Sequence, residues 1–273
     1  RKFLGGSALG AYYLMKEGIL DPGVDPLGPD NLWQLMIGPV TGAGANPRSV
    51  ITCKSPYNNF CATTCGGHAG AELKFAGWDG IQVTGKASSP VYISIVDDNI
   101  EIRDASHLWG MEVEEAEIIM KKEVMADIEF REAMIRDADL TPEWAEMRPP
   151  KRLGMHEKRL AHVWLIGVGG ENQVWYAATM TEGARAHGRH GSGAVAGSKN
   201  LKGIVVRGTK GHVLADKKQY LGLIKNVQAS QRGNYFWRSY GTAGIGARSA
   251  YVEDAFPIRN WQWCAWADPN VKA

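Results

Sequence analysis

Residues 183–208 read GARAHGRHGSGAVAGSKNLKGIVVRG. Gly183, Gly188, Gly191, Gly193 and Gly197 punctuate the first part, with Arg185 and Arg189 among them. The run LKGIVVRG (201–208) that follows is apolar and β-branched, the composition of a strand. The stretch predicts a Gly-rich loop feeding into a strand. The chain's 33 glycines cluster in short runs like this one. They read as special backbone positions rather than as flexible linker.

Working outward, HVWLIGVG (162–169) and QVWYAATM (173–180) are expected strands. Further upstream, TGAGANPRS (41–49) and ATTCGGHAG (62–70) are two more Gly-rich loops. Apolar runs at 32–39, 50–56 and 81–86 supply strands around them. VYISIVDDNIEIRDA (91–105) predicts a hairpin turning at Asp98-Asn99, supported by Ile93, Ile95, Ile100 and Ile102 alternating with polar neighbours. MEVEEAEIIMKKEV (111–124) has the period of an amphipathic helix, and residues 3–20 read as a Gly-rich entry followed by a short helix. Residues 125–160 are charged and read as a solvated, partly helical insertion. The expected class is α+β. A strand-rich domain with three Gly-rich loops covers 1–210, and the beginning of a helical domain covers 211–273. The chain opens on Arg1 rather than Met, so residues are expected in front of it.

Composition removes several function classes. The 31 basic and 29 acidic residues leave a formal net charge of +2 with the signs mixed along the chain. A nucleic-acid reader concentrates its cations on one face, so no nucleic-acid partner is expected. No run approaches about 18 apolar residues, and no membrane span is expected. Four cysteines in 273 residues are not a disulfide scaffold and point to a reducing cytoplasm. GIQVTGKA (80–87) nearly fits a phosphate loop, but Ala87 stands where Ser or Thr is needed and its middle is strand-like. Cys61 and Cys65 are spaced C-x3-C with no further cysteine close by, and read as small buried hydrophobes. His187 and His190 could ligate a metal from a turn. No carboxylate or third histidine stands nearby in sequence, so they read as polar loop residues.

The Gly-rich loops with arginines carry more chemistry. Arg48 follows TGAGANP, and Arg185 and Arg189 lie within GARAHGRHGSG. Loops poor in Cβ atoms let backbone N–H groups approach an anion. Arginine adds bidentate contacts to phosphate. Two such loops suit a ligand with more than one phosphate, although the same glycines would serve tight turns equally well.

Six ordered blocks then carry a resemblance over residues 1 to about 262. They are VDPLGPDN (24–31), GPVTGAGANPRSVITCKSP (38–56), GGHAGAELKFAGWDGIQVTGKA (66–87), IEIRDASHLWG (100–110), IGVGGENQVWYAA (166–178) and GRHGSGAVAGSKNLKGIVVRGTK (188–210). Together they resemble the aldehyde:ferredoxin oxidoreductase family. YGTAGIGA (240–247) and FPIRNW (256–261) are similar to the start of its helical part. The resemblance implies an N-terminal domain of two β-sheets forming a base for a tungsten, or in some relatives molybdenum, bis-pterin cofactor. It implies a magnesium ion bridging the cofactor phosphates, and a [4Fe–4S] cluster passing electrons to ferredoxin or an iron–sulfur partner subunit. The implied reaction oxidises an aldehyde to a carboxylic acid, and an oligomer is expected. The tungsten subunit of a class II benzoyl-CoA reductase shares this base domain and is the rival within the family. A non-catalytic binding subunit that kept the fold is the rival outside it.

The resemblance also assigns residues. Arg48 matches an arginine that hydrogen-bonds one pterin, and residues 63–67 match the segment wrapping that pterin. This segment reads TTCGG, one residue shorter than the family's, which usually carries an asparagine whose carbonyl reaches the magnesium. Thr64 takes that place, with Cys65, Gly66 and Gly67 beside it; a backbone ligand demands no particular side chain. Arg185 matches a second pterin contact and Ala186 a second magnesium carbonyl, with Gly188 and Arg189 continuing the segment. The family's closely spaced cluster cysteines after the FPIRNW-like segment do not appear. Cys264 falls somewhat early for one and reads as a non-ligand, so the cluster ligands are expected outside this segment. Catalytic acid–base residues belong to the helical part and are not assigned.

Overall fold

The computed structural model describes residues 3–43, 47–125, 161–183, 185–211, 214–232, 239–244 and 246. The charged insertion after Met125 and the FPIRNW segment lie outside them. The chain forms two compact units, Arg1–Val213 and Leu214–Ala273.

The first unit is built on two sheets. Strands β1 (Trp33–Ile37), β2 (Ser49–Lys54), β3 (Phe60–Cys65) and β4 (Gly80–Val83) make a four-stranded sheet in the order β3-β2-β1-β4. Its ladders are antiparallel. Strands β5 (Val91–Val96), β6 (Asn99–Asp104), β7 (His162–Leu165), β8 (Thr179–Thr181), β9 (Arg185–His187) and β10 (Leu201–Arg207) make a six-stranded sheet in the order β6-β5-β10-β7-β8-β9. Only β10 and β5 run parallel, and the other ladders are antiparallel.

The main core lies between the sheets because side chains alternate across each strand. Leu35, Ile37, Ile51 and Cys53 face it from one sheet, and Ile95, Trp164, Ile204 and Val206 from the other. The intervening residues Tyr92, Val163, Leu165 and Val205 turn to the opposite face of the larger sheet. There they pack on Ala116 and Met120 of helix α3 (Val113–Val124). Two helices precede α3: α1 (Gly6–Lys16), whose Leu14 joins Ile19 and Leu32 in a smaller cluster, and α2 (Ala69–Phe75), whose Leu73 enters the main core. Every residue of β1 and β2 is buried, as expected of strands covered on both faces.

Two short helices follow in chain order, α4 (Val168–Glu171) and α5 (Ser192–Ser198). The second unit contributes α6 (Lys217–Arg232). Among the described residues no helix is long and apolar enough to cross a membrane.

Several local expectations change. The loop expected at 62–70 shrinks to Gly66–His68, because Cys61, Thr63 and Cys65 alternate inward and extend β3 along β2. Of the strand expected over 173–180 only Thr179 and Met180 pair with the sheet, as part of β8. The chain before it turns back on α4, with Gln173 at φ +54 and the Val174 N–H bonded to the Gly169 carbonyl. The hairpin turns one residue earlier, at Asp97-Asp98, since Val96 pairs with Asn99. Ile100 and Ile102 lie exposed on this edge strand, so their alternation does not mark a core face. The third Gly-rich stretch folds as β9, a turn and α5 rather than as one loop.

Candidate functional site

β3 and β9 are edge strands of different sheets, yet they lie side by side. His187 on β9 joins them. Its Nδ1 stands 2.8 Å from the Thr63 carbonyl of β3, and its Nε2 3.2 Å from Ser49 Oγ of β2. Ser49 Oγ also accepts the Trp164 indole N–H at 3.2 Å. Burial pushes the His187 imidazole down to about 4, the Thr63 bond opposing, so the ring is neutral at neutral pH. The network assigns its single proton to Nδ1, which donates to Thr63, while Nε2 accepts from Ser49. Sequence reading made His187 a polar loop residue; it is a fully buried strand residue. Among the described residues no group of three or more His, Cys, Asp or Glu side chains could hold a metal ion.

The clamp has a positional consequence. Ser49 pairs with Cys65 across the β2–β3 ladder, so Arg48 is carried to the Cys65 end of β3. Arg185, two residues before His187, reaches the same end. Its Nη1 lies 3.5 Å from where a Cβ on Gly66 would be. Burial raises the Cys65 thiol, and the charges of Arg185 and Arg48 both pull against that rise. Arg48, Cys65, Gly66, Gly67 and Arg185 therefore share one corner of the molecule, although 137 positions separate the two arginines (185 − 48).

The turn after β3 explains one of its glycines. Gly67 has φ +101, and a Cβ there would sit 2.6 Å from Glu182 Oε2 and 2.9 Å from Arg185 Cδ. Any side chain would be strained in backbone and in space. Thr64 and Ala186 are exposed on the two neighbouring edge strands, paired on their inner sides with Val50 and Met180. Gly188 and Arg189, both exposed, continue past His187 in the opposite direction from Arg185. There the next residue, His190, is tied through its carbonyl to Ser55 Oγ at 2.8 Å.

Three residues of this corner escaped sequence reading: Glu182, His68 and His162. The Glu182 carboxylate accepts the His68 and Ala69 backbone N–H groups, the latter at 3.2 Å. It also lies 3.2 Å from His162 Nδ1 and 3.4 Å from Arg185 Nε. Burial would raise this carboxyl; the His162 ring and the His68 amide outweigh it and hold the group at about 2. The only sequence signal was the three-residue offset from Glu182 to Arg185.

Two exposed arginines form a cationic edge beside the Gly66-Gly67 turn, which carries no Cβ atom. That donor set fits an anionic, phosphate-bearing ligand. It holds no carboxylate cluster that would suit a bare metal ion.

Residues 1–138 and 121–208 match the family model of the aldehyde ferredoxin oxidoreductase N-terminal domain. The tungsten-containing aldehyde ferredoxin oxidoreductase of Pyrococcus furiosus is 39% identical over 269 residues, 96% of this chain and 39% of that protein. The enzyme of the same name from Pyrococcus horikoshii is 43% identical over the same shares. The WOR-like subunit of a P. furiosus aliphatic sulfonate oxidoreductase is 37% identical over 266 residues, again 96% of this chain and 39% of that protein. Among solved structures, the active-site complex of benzoyl coenzyme A reductase with 1,5-dienoyl-CoA superposes with a TM-score of 0.68 at 32% identity. That match covers 85% of this chain and 31% of the other. The present chain thus spans about two fifths of the length of these curated relatives.

Proposed function

This chain belongs to the aldehyde ferredoxin oxidoreductase family, and on that premise we propose that its first unit is the base on which a tungsten bis-pterin cofactor rests. The enzyme it serves oxidises an aldehyde to a carboxylic acid and delivers electrons through a [4Fe–4S] cluster to ferredoxin or an iron–sulfur partner subunit. The single observation behind this reading is the corner made by the His187 clamp. Arg48 from one sheet and Arg185 from the other act together on Cys65, beside the Cβ-free turn at Gly66-Gly67.

In this reading Arg48 hydrogen-bonds one pterin, and the Thr64–Gly67 backbone wraps it. Arg185 holds a second contact, with Gly188 and Arg189 extending that segment. The Thr64 and Ala186 carbonyls would serve a magnesium ion held together with the cofactor. When bound, the cofactor supplies the two-electron redox chemistry of the reaction. The residues of this chain bind and orient it and tune its charge. None is cast as the acid or base of the substrate reaction.

Metal analysis of anaerobically purified protein, for W, Mo and Fe, tests the proposal. About one tungsten per chain with several irons is the expected result. A carefully protected sample with neither tungsten nor molybdenum would sink it. The likeness to the benzoyl-CoA reductase complex supports a second reading, reduction of an aromatic ring on the same base. Turnover of benzoyl-CoA in place of aldehydes would select it.

A further inference from the structure

Glu182 holds a backbone conformation that its own residue type disfavours. It lies in the turn between β8 and β9 with φ +50, beside Gly183 at φ +67. The left-handed region suits glycine, asparagine and aspartate, and a glutamate there is strained. Strain kept at one position directs attention to what the side chain does.

The side chain is largely buried and connects parts from both sheets. On one side it takes the backbone N–H groups of His68 and Ala69, which end the turn leaving β3. On the other it meets Arg185, whose Nε lies 3.4 Å from Oε2. Arg185 Nη1 reaches the Gly66 side, 3.5 Å from where a Cβ there would be. The Arg185 side chain remains 57% exposed, so the contact with Glu182 leaves much of it open to a ligand. His162, 3.2 Å away, backs the carboxylate from β7. The turn is itself anchored, because the Gly183 N–H donates to Glu117 Oε2 of α3 at 2.8 Å. A negative charge in this place also offsets the repulsion between two arginines set around one thiol.

The geometry points to Glu182 as the positioning residue of the corner: its carboxylate sets Arg185 and the Gly66–His68 turn in the arrangement that receives an anionic group of the cofactor. The inference rests on the cofactor reading above and adds a residue to it. Glu182 touches no cofactor atom in this scheme. It acts through Arg185 and through the two backbone amides.

The test uses the full-length protein purified anaerobically with its cofactor. Tungsten and pterin phosphate per chain are measured for wild type, Glu182→Gln, Arg185→Ala and the double variant, and thermal unfolding is followed for each. Glutamine keeps the size and an acceptor for the amides but loses the charge that holds Arg185. Glu182→Gln is expected to lower cofactor occupancy about tenfold, the scale of losing an outer partner of a bound centre. Its unfolding midpoint should stay within about 5 °C of wild type. The double variant should load no worse than Arg185→Ala, because both changes act through one guanidinium. Additive losses would overturn the positioning role, as would full loading of Glu182→Gln when Arg185→Ala is emptied. Should the glutamine variant not fold, Glu182→Asp replaces it, keeping the charge with less reach in a backbone conformation that aspartate accepts. Partial loading is then expected, and wild-type loading would overturn the proposal. A wild type with neither tungsten nor pterin overturns the cofactor reading itself and this inference with it, a result distinct from failure at Glu182 alone.

Discussion

The His187 ring donates through Nδ1 to the Thr63 carbonyl at 2.8 Å, and this bond spans two sheets that share no ladder. Both residues are buried, and Ser49, the donor to the other ring nitrogen, is buried too. The ring is a neutral rivet, and its neutrality can be titrated.

Because burial lowers the His187 imidazole from 6.5 to about 4, an unfolded chain takes up a proton here that the folded chain refuses. The contribution to stability is constant above pH 6.5 and is lost as pH falls from 6.5 towards 4. The loss amounts to about 3 kcal/mol by pH 4. Urea unfolding at pH 7, 5.5 and 4.5 should show the decline, and His187→Gln should be weaker at pH 7 but flatter across that range. A wild-type profile that is flat to pH 4.5 would contradict a buried neutral ring.

Gly197 of α5 meets the backbone of Gly170 in α4 directly, and a Cβ there would overlap the Gly170 carbonyl oxygen. Gly197→Ala is therefore expected to cost about 3 kcal/mol, since neither backbone can yield without disturbing the packing of α5. Gly222 in α6 has open space where its Cβ would be. Gly222→Ala should instead stabilise by about 0.5–1 kcal/mol through helix propensity. Denaturant melts of the two variants should shift in opposite directions, and equal shifts would refute the contrast.

Lys202 and Glu171 form a buried ion pair. Lys202 Nζ also donates to the Met111 carbonyl at 3.0 Å, and Glu171 Oε2 accepts the Gly110 N–H at 2.8 Å. The pair pins the 110–111 loop to β10 and α4. Lys202→Met alone leaves a buried carboxylate without its cation and should cost about 3–5 kcal/mol. Lys202→Met combined with Glu171→Leu should recover part of that loss, as read by calorimetry. A double variant no better than the single one would show that the loop contacts, not the charges, dominate.

Cys53 and Cys61 face each other across the β2–β3 ladder, fully buried. The hydrogen bond to Cys61, then burial, raises the Cys53 thiol well above its ordinary range. Little thiolate is present to react. Peptide mapping after iodoacetamide at pH 8 should find both cysteines unmodified in the native protein and modified after denaturation. Fast native labelling at either position would overturn this packing.

Elements recorded in a local pattern were legible early. The 91–104 hairpin and the 113–124 helix carry their periodicity within a dozen or so residues. The hairpin turn shifts by the one residue that the Val96–Asn99 pairing imposes, and the helix starts at Val113, two residues after the expected start. The stretch 62–65 carries no local mark that separates loop from edge strand, since Thr and Cys serve both. Pairing with β2, not composition, makes Phe60–Cys65 a strand. The exposed Ile100 and Ile102 show the reverse case, an alternation that satisfies the period but faces outward at a sheet edge.

Residue chemistry was likewise present in the chain itself. Arginines among glycines offer charge and backbone uncovered by a Cβ, and both are properties of single residues. Their convergence is not such a property. Arg48 and Arg185 meet at Cys65 because a histidine fully buried between two sheets bonds a carbonyl more than a hundred positions away. The role of Glu182 depends on the turn that aims it. Local sequence determined which groups this protein has to offer a ligand. The packing of one sheet on the other, driven by the apolar faces between them, decided which of those groups stand together.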